Sequence, residues 1–285
     1  MNGPKVLSGR ATIADLDAER ILRQAGAQGT ICDPVFHEKA VMRAAAAAKD
    51  SLATARRVTY FGTGQARVAR VASNRRFVTP GGNVQFDRTS ATTSVVARTA
   101  DDGVTDPWLK TLSFWDGETP LATLSVYAVH PMSYYRTGEI SADFPGIARD
   151  QRETNLPGAF QNYASGCSGN ITAGKYNDGS RANRPVLAAR LHDAMRSASE
   201  NTALQPITRA AFRSIPVRLE PREGPGWSVA ELAAKVTSSE RPFEQNLAAL
   251  GLSWRRRADA GAVIGIPALD FGGAVLLVLP GEASR

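Results

Sequence analysis

LATLSVYAVHPMSYYRTGEISADFPGIARDQRETNLPGAFQNYASGCSGNITAGKYN, residues 121–177, decides the reading of this chain. In its first part Ala122, Leu124, Val126 and Ala128 fall on one strand face with His130, because successive strand side chains alternate. Pro131 ends that strand, since proline has no ladder donor and restricts the residue before it. An apolar face that closes on an imidazole presents a ligand or a base. Ser141-Ala-Asp-Phe-Pro-Gly predicts a helix start, with Asp143 where a cap stands and Pro145 in the first turn. Residues 164–174 are dense in small side chains and donors, as in a loop that lets backbone approach a substrate.

Working outward, residues 14–25 predict a short helix that Gly26 ends. Asp33 then caps and Pro34 opens a long alanine-rich helix over 35–55, read as packing on the outside of a sheet. From Val58 the pattern turns strand-like and delivers Asn74 and Arg75 at its end. Residues 78–105 read as a polar excursion at the site mouth. Asp116-Gly117, between strands at 109–115 and 119–129, is the best hairpin signal, because a tight turn takes residues that tolerate positive φ. Further on come a strand at 159–164, a helix at 183–199, an edge strand at 210–219 containing Pro216, and helices at 228–238 and 244–258. Two strands read as buried, 262–269 and 274–279, joined through Asp270-Phe-Gly-Gly273, complete the pattern. The alternation predicts an α/β (or α+β) fold, a layered mixed β-sheet with flanking helices, as a single but incomplete domain over 1–285.

With 285 residues and 43% hydrophobic content the chain is long enough to bury a sizeable core. Its charge of +7 and pI near 9.7 favour anionic surfaces. The basic residues are scattered, with tight clusters only at Arg56-Arg57, Arg75-Arg76 and Arg255-Arg-Arg257, which argues against nucleic acid and leaves a peripheral membrane surface as an expected partner. Cys32 and Cys167 do not make a disulfide framework. The first residues lack an apolar leader-like core, and no apolar run is long enough to span a bilayer. The expected compartment is therefore cytoplasmic for the chain as written, and secreted or periplasmic if its N-terminus is incomplete.

The run AVHPMSYY…ISADFPGIAR, followed by Gly169-Asn-Ile-Thr-Ala-Gly174, resembles the neutral (non-lysosomal) ceramidase family, zinc-dependent enzymes that hydrolyse the amide of N-acylsphingosine. The resemblance implies that His130, before Pro131, is a zinc ligand. It implies an active-site role for Arg75 in Asn74-Arg75, and a second metal ligand in Glu282 of Leu279-Pro-Gly-Glu282. By the same resemblance Thr172 supplies a catalytic hydroxyl, and Gly169, Asn170 and Asn74 line the substrate. The implied cofactor is Zn2+ and the implied substrate a lipid-like amide. There are departures. The family's upstream His-x-His is absent, the histidines being His37, His130 and His192. The tyrosine ligand expected after the glutamate is also absent, and the family's Gly-Asp-Val-Ser-Pro-Asn loop reads Gly169-Asn-Ile-Thr-Ala-Gly here. The expectation is a central portion of a ceramidase-like catalytic domain, truncated at both ends.

A catalytic zinc takes three protein ligands plus a water whose pKa it lowers toward neutrality. His130 and Glu282 are two, so the expectation is weak zinc binding and low activity in the isolated chain. Asp143 has two readings, a hydrogen-bond partner that fixes the His130 tautomer or a plain helix cap. A metal-free alternative makes Cys167 the nucleophile, with His130 as base and Asp143 as orienter. The non-enzymatic alternative is a degenerate domain that binds a lipid or partner without turnover.

Overall fold

The computed structural model describes residues 13–135, 137, 139–279, 281 and 283–284. In chain order the first elements are α1 (Ile13–Gln24), α2 (Pro34–Ser51), β1 (Tyr60–Arg67), β2 (Ser73–Asn74), β3 (Phe77–Val78), β4 (Val84–Gln85) and α3 (Val95–Thr99). Next are β5 (Trp108–Asp116), β6 (Thr119–Tyr127), α4 (Asp143–Asn155), β7 (Phe160–Ser165), β8 (Ile171–Thr172) and α5 (Asn183–Glu200). The remainder is β9 (Ala203–Pro206), β10 (Ala211–Val217), α6 (Val229–Ser238), α7 (Pro242–Asp259), β11 (Ile264–Asp270) and β12 (Val275–Leu277). These fall into two compact units, one of residues 1–55 and 214–266, the other of residues 56–213 and 267–285.

The first unit is mainly helical. Ala18, Ile21 and Leu22 of α1, Leu232 and Val236 of α6, and Ala248, Ala249 and Leu252 of α7 recur at helical spacing and bury one stripe of each helix in a common core. A capping box opens α6, with Ser228 and Glu231 satisfying each other's backbone N–H. Glu19 is buried, and its carboxylate accepts from the N–H groups of Ile31 at 2.6 Å and Cys32 at 3.2 Å. The expected outer layer on a sheet is corrected for α2: its described side chains are exposed apart from half-buried Ala40, so among the described residues they lay no apolar face against strands. Its alanine run favours the helix by propensity alone.

The second unit is the layered α/β part, with strand order β7-β6-β5-β1-β9. Gly117, at φ 59°, turns β5 into β6, with Asp116 opposite Thr119. β6 and β7 run parallel through the crossover helix α4, and the other pairs are antiparallel. Helices α4 and α5 pack on one face, where Leu109, Tyr127, Phe144, Leu187, Leu191 and Met195 share a core. Approach there is very close: a Cβ on Gly64 would lie 2.1 Å from the Ala198 carbonyl oxygen of α5, so only glycine fits.

That packing overturns part of the sequence reading. The face expected inside, Ala122, Leu124 and Val126, is only half-buried, whereas Thr123, Ser125 and Tyr127 are buried. Small residues on the second face let a helix close over it, and that outweighs the apolar character of the first. On the opposite face Phe61, Leu112 and Phe271 form a smaller cluster with Leu276, beside a groove of about 730 Å3 lined by Gln65, Trp108, Lys110, Val126 and Val275 among others. β12 is likewise exposed at Val275 and Leu277 where a buried strand was expected, although its hairpin with β11 forms in the expected place. The single long strand read after Val58 is interrupted: β1 ends at Arg67, Arg70 takes φ 56°, and Arg190 donates to the Arg70 carbonyl at 2.7 Å to hold the bend before β2. Among the described residues no helix is long and apolar enough to cross a membrane.

Candidate functional site

Three segments far apart in sequence meet through their backbones. β2 pairs with β8, Ser73 opposite Thr172 and Asn74 opposite Ile171. Arg75 N–H donates to the Asn170 carbonyl at 2.8 Å, and His130 N–H donates to the Ile171 carbonyl at 3.1 Å. β6 itself stops at Tyr127. His130 is therefore positioned by the 170–172 segment and not by strand alternation, and it is half-buried. The last described residues reach the same loop: Gly169 N–H donates to the Ala283 carbonyl at 3.0 Å, and a Cβ on Gly169 would stand 2.6 Å from Ser284 Oγ. Glu282, the expected second metal ligand, lies outside the described residues.

The side chains divide into committed and uncommitted groups. Asn74 is buried and uses both ends of its amide, Nδ2 donating to the Val104 carbonyl at 2.9 Å and Oδ1 accepting from Arg76 N–H at 2.9 Å. Thr172 is 0% exposed; its hydroxyl donates to the Thr89 carbonyl at 2.8 Å and accepts from Gly174 N–H. Asn170 is buried and Gly169 half-buried. Arg75 is different. Its side chain is half-buried and its Nε, shielded from solvent, has no hydrogen-bond partner among the described residues. A shielded donor of that kind suits an oxygen of a bound ligand.

Asp143 opens α4 in the left-handed region, at φ 54°, a conformation that aspartate tolerates better than most residues. Its carboxylate accepts from Ser133 N–H at 3.0 Å and Phe144 N–H at 2.7 Å, and pairs with Arg184 at 3.2 Å. Both oxygens are thereby occupied; Ala142 is the N-cap of α4, which has no side-chain cap bond, so Asp143 is not the plain helix cap that the sequence offered. Arg184 also donates to Ser133 Oγ at 2.9 Å and lies 3.6 Å from the Tyr134 ring centroid. Asn177, fully buried, donates to the carbonyls of Ser133 and Ser90.

Behind Asn74 sits Arg88, with no exposed surface. It donates to the carbonyls of Ala97 at 2.9 Å, Asn74 at 3.1 Å, Asp101 at 2.9 Å and Ala100 at 3.2 Å, and covers the Phe77 ring at 4.7 Å. Burial pulls its pKa down, opposed by the Asp102 carboxylate. Asp102 in turn pairs with Lys175 at 2.9 Å and accepts from the Tyr176 hydroxyl at 2.6 Å. Burial, and then that bond, push Tyr176 up to about 12. Sequence reading missed both arginines that organise the site. A buried Asp143 calls for a cation, but nothing marks Arg184 among 34 lysines and arginines.

Among the described residues no group of three or more His, Cys, Asp and Glu side chains converges to hold a metal. His130 alone does not fit a catalytic zinc, which takes three protein ligands. His192, away from these segments, borders an open cleft between α4 and α5 and meets Asn155 Nδ2 at 3.1 Å.

No family model matches the sequence, and no curated protein matches it. Among solved structures, neutral ceramidase from Pseudomonas aeruginosa is similar at 17% identity and TM-score 0.45, over 77% of this chain and 39% of that one. A ceramidase complexed with C2 is similar at 17% identity and TM-score 0.47, over 79% and 42%. The chain spans about two fifths of the length of those structures.

Proposed function

We propose that the chain carries the substrate-holding part of a hydrolase of lipid-like N-acyl amides, of the ceramidase type that its motifs resemble. The observation behind this reading is the convergence of the motif-bearing segments, Arg75 N–H on the Asn170 carbonyl and His130 N–H on the Ile171 carbonyl. Arg75 Nε then donates to the acyl carbonyl oxygen, and gains strength as negative charge develops on that oxygen. The backbone of Gly169 and Asn170 lies alongside as a close-approach wall. The resemblance assigns His130 and Glu282 to a zinc ion, which supplies Lewis acidity and an activated water when bound. The described side chains do not complete that ligand set.

The expected behaviour is less than one zinc per purified chain and little release of fatty acid from N-acylsphingosine, with His130→Ala removing whatever activity remains. Metal analysis and a fatty-acid assay with added zinc test it. Stoichiometric zinc that disappears in His130→Ala would contradict the incomplete-site part. Absence of both binding and hydrolysis of N-acylsphingosine would sink the reading as a whole. A second reading, binding without turnover, is favoured by Thr172, whose buried hydroxyl is already engaged by Thr89 and Gly174. Tight binding of a ceramide analogue with no product at any zinc concentration would select it.

A further inference from the structure

The short β3–β4 hairpin follows Arg75 directly and has two unlike faces. Phe77 pairs with Gln85 and Val78 with Val84. Phe77 points inward beneath Arg88. By strand alternation the neighbouring pair, Val78 and Val84, points outward, and the two side chains are 60% and 56% exposed. One step along the same face, Arg76 stands opposite Phe86, which is 62% exposed, with the guanidinium carbon 5.5 Å from the ring centroid. Of the charged side chains between residues 75 and 100, Arg76, Arg98 and Asp87 are exposed, whereas Arg75 is half-buried and Arg88 is buried.

We infer that this outward face is a shallow anchor for an anionic lipid surface. Val78, Val84 and Phe86 enter the acyl boundary while the Arg76 guanidinium stays at the headgroups, the division that amphipathic side chains make at an interface. Exposed Arg76 and Arg98 outnumber exposed Asp87, and with the chain's net charge of +7 they complement anionic headgroups. The face is too small for a stable protein interface, which needs about 800 Å2 from each partner, but three clustered apolar side chains suffice for interfacial insertion. The hairpin thus sets the mouth beside Arg75 against the layer in which a lipid-like substrate resides. That purpose rests on the proposed function. The test contains no amide substrate, so its failure is distinct from a failure of hydrolysis.

The experiment is co-sedimentation of the full chain with vesicles of phosphatidylcholine and of equimolar phosphatidylcholine and phosphatidylglycerol. Binding to the anionic vesicles, weakened by salt, is expected. The triple variant Val78→Thr, Val84→Thr, Phe86→Thr keeps β-branched residues in the hairpin and should bind about tenfold more weakly or worse. Arg76→Gln should lose about fivefold on anionic vesicles and little on neutral ones. Val275→Thr, on the other hairpin, should bind as the parent chain does, and circular dichroism should match throughout. No vesicle binding by the parent chain, equal binding by the triple variant, an equal loss in Val275→Thr, or sedimentation of the chain without vesicles would each overturn the inference.

Discussion

Arg88 and Arg75 flank the same residue, Asn74, and are held in opposite ways. Arg88 has lost all contact with solvent and spends its donors on four backbone carbonyls, so the loop from Asn74 to Asp101 is wrapped round one cation. Arg75 is fixed through its backbone on Asn170, while its Nε is shielded and unused among the described residues. The difference separates scaffold from site. A guanidinium saturated by carbonyls rigidifies a loop, and one held with an open donor costs stability unless a ligand completes it.

The sharpest way to break this comparison is to remove each cation in turn. Arg88→Met leaves the carbonyls of Asn74, Ala97, Ala100 and Asp101 without their donor, and should lower the unfolding free energy by about 3–5 kcal/mol. Arg75→Met should not lower it, because the variant removes a shielded donor that has no partner among the described residues. Urea unfolding of both variants reads the two values, and equal losses would erase the distinction.

Gly174→Ala probes the same collar sterically. The new Cβ would stand 2.0 Å from the Thr89 carbonyl oxygen and 3.1 Å from Cγ of buried Arg88. Overpacking of this kind costs about 1–3 kcal/mol. A thermal midpoint equal to that of the parent chain would show the collar to be softer than the Arg88 contacts suggest.

A smaller effect is expected at Tyr176, whose hydroxyl donates to Asp102. Tyr176→Phe should cost about 1 kcal/mol at neutral pH. The sign of its pH dependence follows from the upward shift. With the folded pKa near 12 and the ordinary value 10.0, the stabilisation is complete below pH 10 and is lost as pH rises through about 12. Absorbance titration of tyrosinate, compared with Tyr176→Phe, should isolate one late-ionising group; an unshifted step would contradict the half-buried bond to Asp102.

Much of the frame was legible in the sequence because it is local. Asp116-Gly117 sets the β5–β6 hairpin, Asp143 and Pro145 open α4, and Gly26 follows α1, each by chemistry contained in a few adjacent residues. The sheet face was misjudged because apolarity alone was weighed: Thr123 and Ser125 are buried since small side chains and Gly64 admit α5, whereas Leu124 and Val126 stay half-open. Residues 74–75, 130 and 169–172 meet through their backbones, and the loop wrapped round Arg88 has no counterpart in the motif reading. One arginine serving several carbonyls leaves no period and no spacing. Arg88 reads as any other polar-loop residue until the loop closes on it.

The most direct measurement is calorimetric titration of a short-chain, water-soluble N-acylsphingosine into the parent chain and into Arg75→Met. If Arg75 is a ligand donor, losing one charge-assisted hydrogen bond weakens binding about 10–100-fold while the unfolding midpoint does not fall. Unchanged affinity in Arg75→Met, or a loss of stability matching that of Arg88→Met, would contradict it.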